Sequence, residues 1–204
     1  LELDDDTIVL FSSDHGCHFK TRNGEYKRSC HESSIRVPTS FTGPGFRGGG
    51  QLQELVSLID LPPTLLDAAG LEVPDQMRGR SLMPLLRGGA PDWPDEVFVQ
   101  ISEAQVGRAG RTRRWMYGVD APDLASSDVS GADQYEEQYL YDLEVDPYEL
   151  TNLIGLESHR EVARVMRERL LRRIEEAGEL PPRIKEAPQR PSGQRRVDSA
   201  AVYL

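Results

Sequence analysis

Thr7-Ile8-Val9-Leu10-Phe11-Ser12-Ser13-Asp14-His15-Gly16 is the stretch from which the fold is read. Its apolar and β-branched residues do not alternate with polar ones. Such a run is a strand buried on both faces, as in a parallel sheet covered by helices. The fold class expected is therefore α/β. The strand runs straight into Asp14-His15-Gly16, and open α/β sheets bind ligands at the carboxyl ends of their strands. Asp14 offers a hard oxygen and His15 a nitrogen to one divalent ion. Neighbouring side chains leave a regular strand on opposite faces, so both reach one ion only where the strand has ended. Gly16 permits that sharp departure. The same three residues are also good turn chemistry, with Asp14 bonding nearby backbone; composition alone leaves both readings open.

Residues 16–36 carry no clear period and are crowded with polar groups. His18 and His31 follow His15 closely, among Lys20, Arg22, Lys27 and Arg28. A loop this long inside a compact domain is either functional or disordered. Carboxylate, imidazole and cations together suggest a metal beside an anion, with Lys27 a point charge for a tetrahedral oxyanion. The alternative is a set of solvated loop side chains. Cys17 and Cys30 do not form a zinc pattern, which needs paired C-x2-C units or histidine pairs. A disulfide or two separate thiols remain, and the thiols are the expectation.

Outward from there, Val37-Pro38 leads into a second short apolar stretch closed by Gly43-Pro44-Gly45. Pro62-Pro63 to Gly70 has Pro at the start and Gly past the end, a short helix. Ser81 to Leu86 reads as a further helical turn. Pro91-Asp92-Trp93-Pro94 reads as a boundary. Beyond it the runs 97–101, 114–119 and 139–143 alternate partially, as strands of an antiparallel sheet do. Residues 158–177 carry the apolar stripe Val162, Val165, Met166, Leu170 and Ile174, with Ser158 and Glu161 placed as a capping box. The organisation expected is 1–90 as part of an α/β domain, 91–180 as a small antiparallel sheet plus helix, and 181–204 as an extended or disordered tail.

The net charge is −10, which argues against nucleic acid as a partner, since phosphate backbones require a basic surface. No segment has the ~20 consecutive apolar residues of a membrane span. The chain opens on Leu1 and then Asp4-Asp5-Asp6, taken as the solvated edge of a loop. That opening looks like a cut inside a longer protein, so compartment and oligomeric state are not readable.

Ser13-Asp14-His15-Gly16, then Lys27, then Glu32 to Pro38 with Arg36-Val37-Pro38, resemble the C-terminal core of type I sulfatases of the alkaline-phosphatase superfamily. Further blocks continue the resemblance: Asp60-Leu61-Pro62-Pro63-Thr64-Leu65-Leu66 to Gly70, Gly79-Arg80-Ser81-Leu82, and Tyr141-Asp142-Leu143 with Asp146-Pro147-Tyr148-Glu149 and Asn152-Leu153. The resemblance implies the C-terminal part of an alkaline-phosphatase-like sandwich, a mostly parallel sheet flanked by helices, plus a small antiparallel subdomain packed on a helix. It implies a sulfuric ester hydrolase with calcium as cofactor and a small-molecule or glycan sulfate ester as substrate. Asp14 and His15 become calcium ligands and Lys27 the catalytic contact to the sulfate, with His18 and Arg22 as further substrate-facing candidates. Arg36 is expected to anchor the loop, and Tyr141 and Asn152 to close the fold.

The family's nucleophile is a formylglycine made from Cys in Cys-x-Pro-x-Arg, which neither Cys17 nor Cys30 matches. Formylglycine is therefore expected in a missing N-terminal part, and the 204 residues alone are expected to be inactive and to expose an apolar strand face. Two alternatives stand beside this reading: a phosphonate or phosphodiester hydrolase of the same superfamily, and a non-catalytic fragment.

Overall fold

The computed structural model describes Leu3 and residues 5–204 of the chain. They form two compact units, residues 1–15 with 37–95, and residues 16–36 with 96–204. Asp4 lies outside the described residues; Asp5 and Asp6 are exposed, and Asp5 pairs with Arg47 at 2.6 Å.

In the first unit β1 (Val9–Phe11) pairs antiparallel with β2 (Ser40–Thr42), with Leu10 opposite Phe41. Burial of β1 on both faces is not what the structure shows. Val9 is 54% exposed and Phe11 64%, because among the described residues β2 is its only hydrogen-bonded neighbour. Downstream, α2 (Leu61–Ala68) starts on Pro62-Pro63 as expected. Its entry is fixed by Asp60, which is buried and accepts from the backbone N–H of Ser57 and of Arg80, both at 2.8 Å. The Thr64 hydroxyl accepts from the Leu82 N–H at 2.9 Å. A Cβ on Gly79 would meet the Ile59 carbonyl oxygen at 1.9 Å. The motif blocks at 60–66 and 79–82 therefore hold one another. Between Arg80 and the loop 87–89 lies a single turn, α3 (Met83–Leu86).

The second unit is a five-stranded sheet ordered β3 (Glu96–Ser102), β4 (Val106–Thr112), β5 (Trp115–Asp120), β6 (Gln134–Asp142), β7 (Arg183–Lys185). It is antiparallel except for the parallel β6–β7 pair. α4 (Arg160–Glu176) covers one face, burying Val162, Val165, Met166, Leu170 and Ile174 with Trp115, Tyr117 and Leu140. Residues 16–36 serve the other face, where Cys30 and Ile35 join Ile101, Ala109, Met116, Tyr141 and Leu143. The loop thus groups with the C-terminal sheet and not with residues 1–90, because burying that apolar layer outweighs its sequence position.

Two local expectations change. Ser158 does not cap α4: a 3-10 turn at Glu157–His159 precedes the helix, and the Ser158 hydroxyl lies 2.8 Å from His159 Nδ1. The tail is anchored, with Trp115 Nε1 donating to the Ala201 carbonyl at 2.7 Å and Val202 in the core. β4 carries no period-2 signature, because glycines and arginines stand among its buried positions beside Val106, Ala109 and Thr112. Arg108 is 2% exposed and meets Glu179 at 2.8 Å, a pairing that makes a buried guanidinium tolerable. Among the described residues no helix is long and apolar enough to cross a membrane.

Candidate functional site

β1 ends at Phe11, and Ser12-Ser13 carry the chain out of the strand before Asp14 and His15. The Ser13 hydroxyl donates to the His15 carbonyl at 2.8 Å, holding this turn. With the strand finished, adjacent side chains can converge, and Asp14 Oδ2 lies 3.5 Å from His15 Nε2. An oxygen and a nitrogen at that separation fit one divalent ion. Among the described residues no group of three or more His, Cys, Asp or Glu that could hold a metal ion is present.

Gly16 departs from expectation in its cause. Its φ is not in the left-handed region. The requirement is space: a Cβ there would meet the Ser33 carbonyl oxygen at 2.2 Å, while the Gly16 N–H donates to the Ser34 carbonyl at 2.8 Å.

Lys27 sits within the second unit and is itself held through its backbone carbonyl. The Lys27 carbonyl lies 3.0 Å from His18 Nε2 and accepts from Asn23 Nδ2 at 3.3 Å. The ammonium lies over the Tyr26 ring, 5.6 Å from its centroid. Among the described residues no carboxylate pairs with it, so its charge is open to an anion. Phe19, Lys20 and Arg28 adopt left-handed φ of 51°, 62° and 64°, a cost of about 1–2 kcal/mol each that the surroundings must impose.

His18 and Arg22 are otherwise engaged. His18 is 2% exposed, behind the Lys27 backbone. Arg22 Nη1 donates to the Glu149 carbonyl at 2.8 Å and Nη2 to that of Tyr148 at 2.6 Å. Arg36 is not the anchor expected. Its side chain is 78% exposed, with Glu32 at 3.7 Å, whereas Glu32 receives Arg111 Nε at 2.7 Å. Cys17 and Cys30 are free thiols, and burial pushes Cys30 up to about 12. His31 is packed edge-on against Tyr139, 4.9 Å between centroids; burial, then Arg22 and His18, bring it down to about 4. Asn152 closes the fold, donating to the Gln138 carbonyl at 2.7 Å and accepting from the Leu140 N–H at 3.1 Å.

The residue that sequence reasoning missed is Glu149. It is 2% exposed, with φ of 53°, and its carboxylate accepts from the Glu32 N–H at 3.0 Å. Burial raises its carboxyl to about 7, against the lowering effect of the Glu32 N–H. The sequence signal was a glutamate inside a turn motif, where a solvated side chain is the usual outcome.

A profile of the family described as "N-sulphoglucosamine sulphohydrolase, C-terminal" matches residues 24–176. Human arylsulfatase K is 36% identical over 163 residues, covering 75% of this chain and 28% of the relative. Among solved structures, a 2-O GAG sulfatase superposes with a TM-score of 0.71 at 26% identity, covering 87% of this chain and 38% of that one. A phosphonate monoester hydrolase from Silicibacter pomeroyi superposes at 0.67 and 22% identity, with 87% and 36% covered, and speaks for the fold alone. The chain spans about a third or less of the length of the curated relatives it matches. The profile match takes in well over half of the residues, and the chain belongs to the N-sulphoglucosamine sulphohydrolase C-terminal family.

Proposed function

We propose that this chain is the C-terminal part of a sulfuric ester hydrolase. In this reading Asp14 and His15 are calcium ligands and Lys27 is the group that contacts the sulfate. The observation that carries it is Lys27 itself: an ammonium with no carboxylate partner among the described residues, on a residue whose backbone carbonyl is held by His18 and Asn23. A fixed cation aimed at an oxyanion stabilises charge with little reorganisation. Calcium, when bound, would add Lewis-acid stabilisation of the same kind of charge, and the 3.5 Å approach of Asp14 to His15 supports two of its ligands here. Ca2+ wants six to eight oxygen-rich ligands, so further ligands and the formylglycine nucleophile are assigned to a part of the protein beyond these residues. The substrate class proposed is a small-molecule or glycan sulfate ester.

His18 and Arg22, substrate-facing candidates from the resemblance, are given support roles. Their nitrogens are buried or taken by backbone carbonyls.

The test is hydrolysis of an aryl sulfate and of an aryl phosphonate by the protein translated from the whole reading frame, beside the 204-residue chain alone. The reading expects the longer protein to cleave the sulfate preferentially, in a calcium-dependent way, and the chain alone to cleave neither. Turnover by the isolated chain, or a phosphonate preference, would sink it.

A further inference from the structure

Two tethers join residues 22 and 32 to one turn of the chain more than a hundred positions away. Arg22 grips the Tyr148 and Glu149 carbonyls, and the Glu149 carboxylate seats the Glu32 N–H, the first amide of α1 (Glu32–Ile35). Between the tethered residues lies Lys27. The non-glycine residues with left-handed φ among the described ones are Phe19, Lys20, Arg28 and Glu149, so backbone strain is confined to this loop and to its anchor. Strain of this kind persists only where the surroundings over-determine it. Among the described residues, buried polar atoms without a partner include His18 Nδ1, Arg22 Nε, His31 Nδ1 and Glu149 Oε1 in this region, with Arg173 Nε on α4. A packing element would satisfy those atoms or replace them with apolar ones. This one instead holds a half-satisfied network, whose geometry depends on each remaining bond.

We propose that Glu149 is a positioning residue for the loop that bears Lys27, latching it through the Glu32 amide while its own carbonyl seats Arg22. The proposal rests on the sulfatase reading only for what Lys27 does, not for the latch. The groups facing Glu149 are Arg22 and Cys30 from the loop, Glu32 from α1, Tyr141 from β6 and Asp146 from its own turn. Of these, only Arg22 brings a positive charge. Deprotonation therefore leaves a charged carboxylate in a buried site, a desolvation cost that the Glu32 N–H offsets only in part, and the closed loop is disfavoured as pH rises through about 7, the direction expected for a group whose folded-state pKa is raised.

Amide hydrogen exchange of the 204-residue chain, expressed as protection factors from pH 5.5 to 8.5, tests this for wild type, Glu149→Gln and Glu149→Ala. The glutamine keeps the acceptor and removes the titration. It should retain protection over residues 18–32 at every pH, whereas wild type loses it by roughly tenfold towards pH 8.5. The alanine should lose at least tenfold at all pH values while α4 and β5 keep theirs. Unchanged protection of residues 18–32 in the alanine variant would overturn the proposal. So would a loss shared equally by α4 and β5, because Glu149 would then be a residue of general stability. Aryl sulfate KM, measured in parallel on the longer protein, separates the two readings. A loop released by Glu149→Ala with KM unmoved upholds the latch and tells against Lys27 as the sulfate contact.

Discussion

Replacing Gly16 by Ala tests, at one atom, whether the segment after Asp14-His15 is specified by close packing. The added Cβ would stand 2.2 Å from the Ser33 carbonyl oxygen and 3.0 Å from its carbon, both backbone. No rotamer change relieves such a clash, so residues 33–34 must move. Forced overpacking costs about 1–3 kcal/mol. The movement also stretches the 2.8 Å bond from the Gly16 N–H to the Ser34 carbonyl, worth about 1 kcal/mol. Alanine restricts the unfolded chain and returns about 0.4–1 kcal/mol, which leaves about 2 kcal/mol of destabilisation. Gly24 is the control, since a Cβ there meets nothing within 4 Å. Urea unfolding followed by Trp115, which is fully buried in the same unit, reads both variants. A Gly16→Ala midpoint equal to that of Gly24→Ala, within about 0.5 kcal/mol, would refute the packing argument.

Other outcomes follow from the buried groups. His31 titrates near 4 in the fold, below its unfolded value, so its contribution is present above about pH 6.5 and is lost as pH falls towards 4. His31→Phe should flatten that acid limb in urea midpoints measured from pH 4 to 7; an unchanged limb would place the acid sensitivity elsewhere. Cys30, raised by burial to about 12, should resist a thiol reagent at pH 8 while half-buried Cys17 reacts. Equal labelling rates in the native state would contradict the burial of Cys30 beneath the sheet.

The parts legible in the sequence are those where burial and period agree. The stripe from Val162 to Ile174 specifies α4, and Pro62-Pro63 specifies α2, because one apolar face and one missing amide leave few alternatives. The partial alternation in β3, β5 and β6 reflects a sheet buried unequally on its two faces. β4 was hidden because Arg108 and Arg111 sit where apolar residues are expected. Their guanidinium groups are met by Glu179 and Glu32, from distant positions. The attachment of residues 16–36 to the C-terminal sheet was equally hidden. It depends on Cys30 and His31 reaching Met116, Tyr139 and Tyr141, contacts with no local signature. At the candidate site, Asp14, His15 and Lys27 stand out by residue type, whereas Glu149 becomes visible only once the chain has folded around it.

The central claim rests on Lys27, and its most direct test is the kinetics of Lys27→Ala in the protein translated from the whole reading frame. Loss of a fixed cation that meets the developing charge should lower kcat/KM for an aryl sulfate by about 100-fold or more, a transition-state loss of about 3 kcal/mol. The exposed position of Lys20 makes Lys20→Ala the matched control, with activity near wild type. A Lys27→Ala enzyme within threefold of wild type, at unchanged melting temperature, would contradict the account.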